Sequence, residues 1–310
     1  MGLFQKEFEI KNGTLVHYNG KGGQVLVPSG VTRIGAKAFA GRTDITSVCL
    51  PEGLCSIGES AFSECTSLML VDIPATVTEI EKAAFYWCTD LDGIILPEGL
   101  TRISENCFHY CRSLQQIYIP RAVVSIEHGA FGWCDTLVRV TLPDGLQHIG
   151  ASAFECCKSL LRIDIPHGVT SMEANVFRCC SNLEFTIHEG LKYLGDLYNP
   201  YHLLVSVEQH DISACKLHPD TKIIASEAFW GCEELKLVEL PNGLYAIGDR
   251  AFGCCPKLWR LDIPSSVCDI APDLGVSESF AIAAYVGSYA ETYAKWRGIT
   301  YYPLYYVPNT

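Results

Sequence analysis

The sequence predicts a mainly β repeat solenoid, because three features recur at one fixed interval along most of the chain. A proline returns every 23 residues on both sides of one interruption, a phenylalanine stands eleven residues after eight of the nine prolines, and apolar residues alternate just before each proline. Such self-similarity indicates stacked units, each of which buries its apolar face against its neighbours. The prolines are Pro28, Pro51, Pro74, Pro97, Pro120, Pro143, Pro166, Pro241 and Pro264, and the phenylalanines are Phe39, Phe62, Phe85, Phe108, Phe131, Phe154, Phe177, Phe229 and Phe252.

Residues 74–96 illustrate how one repeat would form one turn of the stack. Ile94 and Leu96 alternate at the end of the repeat, as the inward positions of a half-buried strand do. We expect strands from stacked units to pair into a parallel sheet, and Pro97 to end this strand because it has no N–H to donate. The opposite inner wall is predicted to hold the other apolar positions of the repeat, which are Val77, Ile80 and Phe85 with their counterparts.

The regular pattern is interrupted between His188 and His218, which replace proline and stand 30 residues apart. The expected phenylalanine is missing from 197–201, so we expect a loop that leaves the stack there. A strand at 203–207 would follow, and the repeat pattern resumes over 223–229. The interruption is either a lid over a ligand or a neutral insertion, because solenoids accept insertions on one face.

Both ends of the stack need covers, because an open end exposes core side chains and unpaired strand edges. At the front, Asn12-Gly13 predicts a two-residue hairpin turn. At the back, Ser288 and Glu291 form a capping-box pattern, which predicts a helix followed by a strand over 299–306, confined to a sheet edge by Pro303. The predicted organisation is an N-terminal hairpin cap at 1–24, a solenoid of about ten turns at 25–271 with an irregular repeat at about 189–217, and a C-terminal cap at 272–310.

Charge and hydropathy narrow the classes of partner. The formal net charge is −12 and there is no run of Lys and Arg, which argues against nucleic acid or an anionic membrane surface as a partner. No segment approaches 18 consecutive apolar residues, so no membrane insertion is expected. Residues 1–10 are too polar for the apolar core of a secretory signal. The chain as it stands is therefore predicted to be cytoplasmic, or at the cell surface or secreted if a leader has been removed.

The repeat resembles the leucine-rich repeat family, specifically the bacterial surface antigen type, which has proline after the strand and Ala-Phe-x-x-Cys in the return segment. The resemblance covers roughly residues 25–271, and nine phenylalanine-bearing units keep the spacing. It implies a curved right-handed solenoid with a concave parallel sheet that serves in protein or surface recognition. It also implies frequent export and attachment to the cell surface, and it provides no catalytic residue to carry over.

Eight cysteines occupy one position of the repeat and form what we call the cysteine ladder, because stacking would align them at about 4.8 Å. We favour a column of buried small apolar side chains. Disulfides between neighbouring turns are a second interpretation, since the Cα separation would fall in the permitted range. A metal site is disfavoured, because a straight column points its ligands in parallel. The ladder comprises Cys65, Cys88, Cys111, Cys134, Cys157, Cys180, Cys232 and Cys255.

The position one residue before the cysteine ladder carries two kinds of candidate residue. Trp87, Tyr110 and Trp133 occupy it in three successive repeats, and we call them the aromatic ridge. Exposed aromatic rings at this spacing would stack on sugar rings or anchor a protein partner, whereas rings folded over the return segment would only cover the edge of the core. Elsewhere the same position holds Cys156, Cys179 and Cys254, which are weak candidates for reactive thiols.

The outward side of the predicted strands, which we call the strand face, is the second candidate surface. Its residues are mixed in character, without a long run of one charge, which suits a protein interface more than a small-molecule pocket. An ordinary solvated face is the alternative. The candidate contact residues on this face are Tyr118, Arg139, Arg162 and Asp164.

Catalysis finds little support in the sequence. The nine histidines are scattered over different repeat positions, and there is no nucleophile elbow or HExxH helix. We therefore predict a non-enzymatic scaffold without a cofactor, which binds a protein partner through the strand face or the aromatic ridge. The alternatives are a surface adhesin that binds glycans or host proteins, and a thiol-based redox or metal-binding protein.

Overall fold

The computed structural model describes residues 7–305, and the chain divides into two compact units. The first comprises Met1–Val169 with Asn175–Glu184, and the second comprises Thr170–Ala174 with Phe185–Thr310. The division falls inside the predicted solenoid, so stacked turns occur in both units. Within the described part of the chain there are about 13 turns. The expectation of about ten was too low, because it rested on repeats that carry the phenylalanine, and several turns lack it.

Most turns of the first unit contribute a longer strand and a two-residue strand to two different sheets. Longer strands pair in parallel 23 residues apart, as Val48 does with Val71, and short strands pair likewise, as Ile57 does with Ile80. The predicted parallel sheet is therefore present. The strands are β1 (Phe8–Lys11), β2 (Thr14–Tyr18), β3 (Gly23–Leu26), β4 (Arg33–Ile34), β5 (Ile45–Cys49), β6 (Ser56–Ile57), β7 (Leu70–Asp72), β8 (Glu79–Ile80), β9 (Arg102–Ile103), β10 (Gln116–Tyr118), β11 (Ser125–Ile126), β12 (Arg139–Thr141) and β13 (His148–Ile149).

The two-residue strands occupy the predicted inner wall opposite the longer strands. Ile57, Ile80 and Ile103 are buried there, as the apolar pattern indicates. Their strand character is not predicted by the sequence, because two residues are too few to display an alternating pattern.

One turn of the first unit departs from the predicted strand. Residues 91–97 form no strand, so the expectation that Ile94 and Leu96 belong to one is wrong. Leu96 is buried as predicted, but Ile94 is only half-buried. The physical reason is Asp92-Gly93, since both residues disfavour strands and glycine has no side chain to pack.

A column of phenylalanine rings forms the centre of the core. In the first unit the rings from Phe39 to Phe177 lie nearly parallel, with centroids of neighbouring rings 4.8 Å apart for Phe39 and Phe62 and 5.9 Å apart for Phe154 and Phe177. In the second unit Phe229 and Phe252 stack at 5.3 Å. Burying each ring removes it from water and stabilises the fold by about 1.5–3 kcal/mol.

The longer segment of the second unit, from Phe185 onward, begins with the irregular repeat. Strands β15 to β17 pair antiparallel in sequence, and parallel pairing resumes between β17 and β19. The predicted strand at 203–207 is present as β17, and Leu197 and Tyr198 lie exposed in the loop before it. The elements are β14 (Ser171–Met172), β15 (Thr186–His188), β16 (Leu191–Leu194), β17 (Leu203–Val207), β18 (Ala214–Lys216), β19 (Ile223–Ile224), β20 (Leu237–Glu239), β21 (Ala246–Ile247), β22 (Arg260–Ile263), β23 (Asp269–Ile270), β24 (Ala281–Tyr285), α1 (Tyr289–Arg297) and β25 (Thr300–Leu304).

The predicted cover elements are found near both ends of the described chain. Strands β1 and β2 form an antiparallel hairpin around Asn12-Gly13, where both residues have positive φ. Helix α1 begins after Ser288, whose Oγ accepts a hydrogen bond from the N–H of Glu291 at 3.3 Å, and it packs against β23, β24 and β25. Strand β25, which contains Pro303, is the outer strand of its sheet, and Tyr306 of the predicted strand lies outside the described residues.

Candidate functional site

The position before the cysteine ladder requires an unusual backbone conformation. Trp87, Tyr110 and Trp133 have φ values of 59°, 63° and 62°, in the left-handed region. This conformation lets each backbone N–H donate to a carbonyl of the next turn, as Trp87 does to His109 at 2.8 Å. We call this position of the first unit the outer column; it comprises Gly41, Glu64, Trp87, Tyr110, Trp133, Cys156 and Cys179, all with positive φ.

The rings of the aromatic ridge stack on one another. The centroids of Trp87 and Tyr110 are 4.9 Å apart and those of Tyr110 and Trp133 are 5.3 Å apart, with interplanar angles of 16° and 15°. Trp87 is 41% exposed and the other two are half-buried. Tyr110 is therefore covered by a ring on both faces, whereas Trp87 and Trp133 each stack on a ring through one face only, which limits the ring surface left for a partner.

Cations and a histidine surround the ridge. The guanidinium of Arg112 lies 5.2 Å from the Tyr110 ring centroid, and the Lys158 ammonium lies 5.7 Å from the Trp133 ring. His109 contacts Tyr110 edge to face at 4.8 Å, and burial lowers the pKa of its imidazole. The ridge thus presents aromatic rings beside two cations, both of which pair with Asp135, at 3.6 and 3.5 Å.

The strand face of the first unit carries a row of exposed apolar side chains. Leu70, Ile95 and Tyr118 come from three successive turns and are 56%, 86% and 47% exposed. They line a groove of about 740 Å³, together with Asp72 and Arg139. Exposed apolar side chains gathered in one groove are typical of an interaction surface.

The groove exists where the regular sheet is interrupted. Residues 93–95 lie between β7 and β10, and within residues 7–305 no backbone hydrogen bond joins them to either strand. Ile95 is accordingly more exposed, at 86%, than Leu70 and Tyr118 of the neighbouring strands. Peptide groups on both sides of the interruption add polar donors and acceptors to an otherwise apolar groove.

The structure brings together some of the predicted site residues and separates others. Tyr118 and Arg139 line the groove, whereas Arg162 and Asp164 are exposed on the strand face outside its lining. The Arg162 Nε lies 3.4 Å from a carboxylate oxygen of Glu184. The three ridge residues lie in the return segment and do not contribute to the groove.

A second groove, in the second unit, includes a tryptophan that the sequence reasoning missed. It measures about 440 Å³ and is lined by Trp259, Arg260, Asp262 and Glu239, among others. Trp259 is 57% exposed, and the Arg260 Nε donates to an Asp262 carboxylate oxygen at 2.6 Å. The available signal was an aromatic residue at a repeat position that elsewhere holds Met69, Asp92, Gln115, Val138, Leu161 and Lys236.

The cysteine ladder is buried and its thiols act as hydrogen-bond donors. In the first unit each ladder Sγ donates to the carbonyl of the phenylalanine 26 residues earlier, at 3.0–3.3 Å. Burial raises the pKa of Cys65 and of Cys180 to about 12, and it raises the pKa of the four thiols between them as well. A protonated thiol is a poor nucleophile and a poor metal ligand, which favours the packing interpretation.

Neither of the other interpretations of the cysteines is represented among the described residues. All sixteen cysteines carry free thiols, and no group of three or more His, Cys, Asp or Glu side chains is placed to hold a metal ion. In the same part of the chain, no helix has the length and apolar character needed to cross a membrane.

Comparison with known proteins identifies relatives of the same architecture. A leucine rich cell surface protein from Faecalibacterium prausnitzii A2-165 is 24% identical, with a TM-score of 0.56 over 96% of this chain and 91% of that chain. A leucine-rich repeat protein from Bacteroides ovatus ATCC 8483 is 22% identical, with a TM-score of 0.54 over 95% and 94%. The T. pallidum leucine rich repeat protein is 34% identical, with a TM-score of 0.53 over 55% and 82%. Comparison with the curated proteins gave no match.

A family model settles the classification that these likenesses indicate. The model for the BspA type leucine rich repeat region matches six copies, over residues 14–123, 101–198 and 207–274. These ranges cover most of the chain and include the regular turns of both units. The predicted fold class is confirmed, and the chain belongs to the BspA type leucine-rich repeat family.

Proposed function

We propose that this chain is a non-enzymatic scaffold that binds a protein partner through the strand face of its first unit. The observation that carries the proposal is the row of Leu70, Ile95 and Tyr118 over one groove. Apolar side chains that protrude this far are unfavourable in water, and a partner that covers them gains about 25 cal/mol for each Å² of apolar surface buried.

The chemistry of the groove suits a protein partner. Asp72 and Arg139 place opposite charges beside the apolar row, which resembles the apolar centre and polar rim of protein interfaces. Tyr118 combines a ring with a hydroxyl, and tyrosine is among the residues that most often dominate binding energy. The aromatic ridge is the weaker candidate, since its rings already cover much of one another.

Affinity capture with matched variants tests the proposal. The groove variant Ile95→Asp/Tyr118→Ala is compared with wild type and with Leu161→Asp, which changes a side chain that is 48% exposed and outside the groove lining. We expect a protein held by wild type and by Leu161→Asp to be lost from the groove variant, while all three melt alike. Retention by all three would contradict the proposal.

Glycan binding is the second candidate, and the groove of the second unit favours it. Sugar rings stack on exposed aromatic faces while carboxylates accept their hydroxyl groups, and Trp259, Asp262 and Glu239 provide both. An array of soluble oligosaccharides, probed with wild type, Trp259→Ala and Trp296→Ala, tests this role. Trp296 is an exposed tryptophan of α1 outside the groove, so only Trp259→Ala should lose binding.

We propose the cell surface as the location where this scaffold works. The relative from Faecalibacterium prausnitzii is described as a cell surface protein, and the cytoplasm is the alternative. Treating intact source cells with a protease distinguishes them: degradation of the protein would support the surface, and its survival beside a degraded surface control would support the cytoplasm.

A further inference from the structure

The outer column continues past the aromatic ridge into two cysteines. Cys156 and Cys179 follow Trp133 at the same repeat position in the next two turns, with φ values of 58° and 59°. The N–H of Cys156 donates to the carbonyl of Arg178 at 2.7 Å, which repeats the bond from Trp133 to Glu155. The two cysteines are therefore direct neighbours in adjacent turns of the first unit.

Their spacing matches that of a disulfide. The backbone bond from Cys156 to Arg178 joins adjacent turns, and strands joined in this way lie about 4.8 Å apart, inside the Cα range of about 4.4–6.8 Å that a disulfide spans. The neighbouring Cys179 thiol contributes to the raised pKa of Cys156, as expected for two thiols that face each other across adjacent turns. Forming a bond between them would require little movement of the backbone.

Accessibility distinguishes this pair from the cysteine ladder beside it. Cys179 is exposed, whereas Cys156 is only 5% exposed. A reagent in solution therefore reaches Cys179 but not Cys156. Cys157 and Cys180 of the same two turns are buried, and their thiols donate to phenylalanine carbonyls. Cys254 of the second unit is exposed, but the same position one turn earlier is Gly231, so it has no thiol neighbour there.

We propose that Cys156 and Cys179 form a reversible disulfide between adjacent turns, by exchange with a low-molecular-weight disulfide. The Cys179 thiolate attacks one sulfur of the reagent, which forms a mixed disulfide and releases one reagent thiolate. The Cys156 thiolate then attacks the Cys179 sulfur, forms the protein disulfide and releases the second. The two protein thiols lose two electrons and two protons, and the reagent disulfide is reduced to two thiols.

Burial and charged groups around the pair determine the rate of the second step, in which Cys156 attacks the mixed disulfide. Burial, followed by the neighbouring Cys179 thiol, raises the pKa of Cys156 to about 11, while Glu155 also raises it and Lys158 lowers it. The Arg178 guanidinium, 3.7 Å from a Glu155 carboxylate oxygen, partly offsets that negative charge. Formation of the protein disulfide from the mixed disulfide should therefore accelerate by up to about tenfold for each pH unit between pH 7 and 9, because the Cys156 thiolate is the attacking form.

Oxidised glutathione is the probe for the test, with the full chain and peptide mapping by mass spectrometry after free thiols are alkylated under denaturing conditions. We expect wild type to yield a linked peptide pair that joins Cys156 and Cys179, with no glutathione on either, while exposed Cys254 carries glutathione. The variant Cys156→Ser should hold glutathione on Cys179, because the resolving thiol is gone. Cys254→Ser should form the same linked pair as wild type.

Two outcomes would overturn the proposal. One is glutathione that persists on Cys179 in wild type, which would mean that Cys156 does not resolve the mixed disulfide. The other is an alkylated Cys179 in wild type under conditions that modify Cys254, which would mean that the pair is not reactive. Both residues substituted in the variants lie outside the ladder, so circular dichroism before treatment confirms that each variant is folded.

Discussion

The cysteine ladder and the outer column run side by side through the same turns of the first unit, one residue apart in sequence. The ladder holds the same residue in six successive turns, buried and hydrogen-bonded to a phenylalanine carbonyl. The outer column changes from glutamate to aromatic rings to thiols while its backbone conformation stays constant. Residues that are the same in all turns are those that stacking requires. Residues that differ between turns are available for recognition or reactivity.

The contrast has a physical origin in burial. A ladder side chain has core atoms on every side, so only a small apolar residue with one donor fits there. An outer-column side chain contacts solvent on one side. The main constraint on the residue type is the left-handed backbone, which destabilises the folded state to some extent for any residue other than glycine. Side chains that contact one another across turns, as the rings of the ridge do, recover some of that free energy.

The largest expected difference comes from placing the same charge in each column. Cys111→Asp buries a carboxylate without a counter-charge and should destabilise the protein by about 3–5 kcal/mol. Tyr110→Asp should lose the free energy of ring stacking and less than about 1 kcal/mol in addition, because aspartate tolerates the left-handed region. Urea unfolding of both variants measures the difference, and equal losses would show that the two columns are not distinct environments.

The pH dependence of the unfolding free energy tests the cysteine ladder without involving the outer column. Burial raises the pKa of Cys65 to about 12, whereas an unfolded cysteine has a pKa of about 8.5. The folded state thus holds the proton more tightly, so the stabilising contribution is complete below about pH 8.5 and is lost as the pH rises toward 12.

The measurement compares wild type with Cys65→Ala between pH 7.5 and 10.5. Over the two pH units above 8.5, one such thiol should cost wild type about 2–3 kcal/mol of unfolding free energy that the variant does not lose. Cys55→Ala removes an exposed thiol and is the matched control. Parallel pH curves for wild type and Cys65→Ala would mean that the ladder thiol ionises as freely as an unfolded one.

The same division explains how much the sequence could predict. Positions dictated by the stack repeat in the sequence, so Phe85, Cys88 and the strand around Val71 were predicted correctly from spacing. The interruption at 93–95 and the short strands were not, since a local loss of pairing and a two-residue strand leave little trace in an apolar pattern.

The candidate surfaces were predicted only in outline for a related reason. Spacing indicated that Trp87, Tyr110 and Trp133 are neighbours, but their mutual stacking depends on side-chain torsion angles that spacing does not determine. Trp259 was missed because a single aromatic residue in one repeat does not form a recurring pattern. The placement of Cys156 and Cys179 in adjacent turns of the outer column involves the left-handed backbone, which is unusual for cysteine and has no signature in the residue type.

The smallest expected effect per residue separates the contribution of the outer-column backbone from that of its side chains. The triple variants Trp87→Gly/Tyr110→Gly/Trp133→Gly and Trp87→Ala/Tyr110→Ala/Trp133→Ala both lose the stacked rings, so that loss cancels between them. Glycine adopts positive φ without the strain that alanine suffers, and this exceeds the entropy that glycine adds to the unfolded chain. The glycine variant should therefore be more stable than the alanine variant by about 1 kcal/mol per position at most, in urea unfolding at neutral pH. If the alanine variant is equally stable or more stable, the left-handed conformation of the column is not a constraint, and the difference between the two columns rests on burial alone.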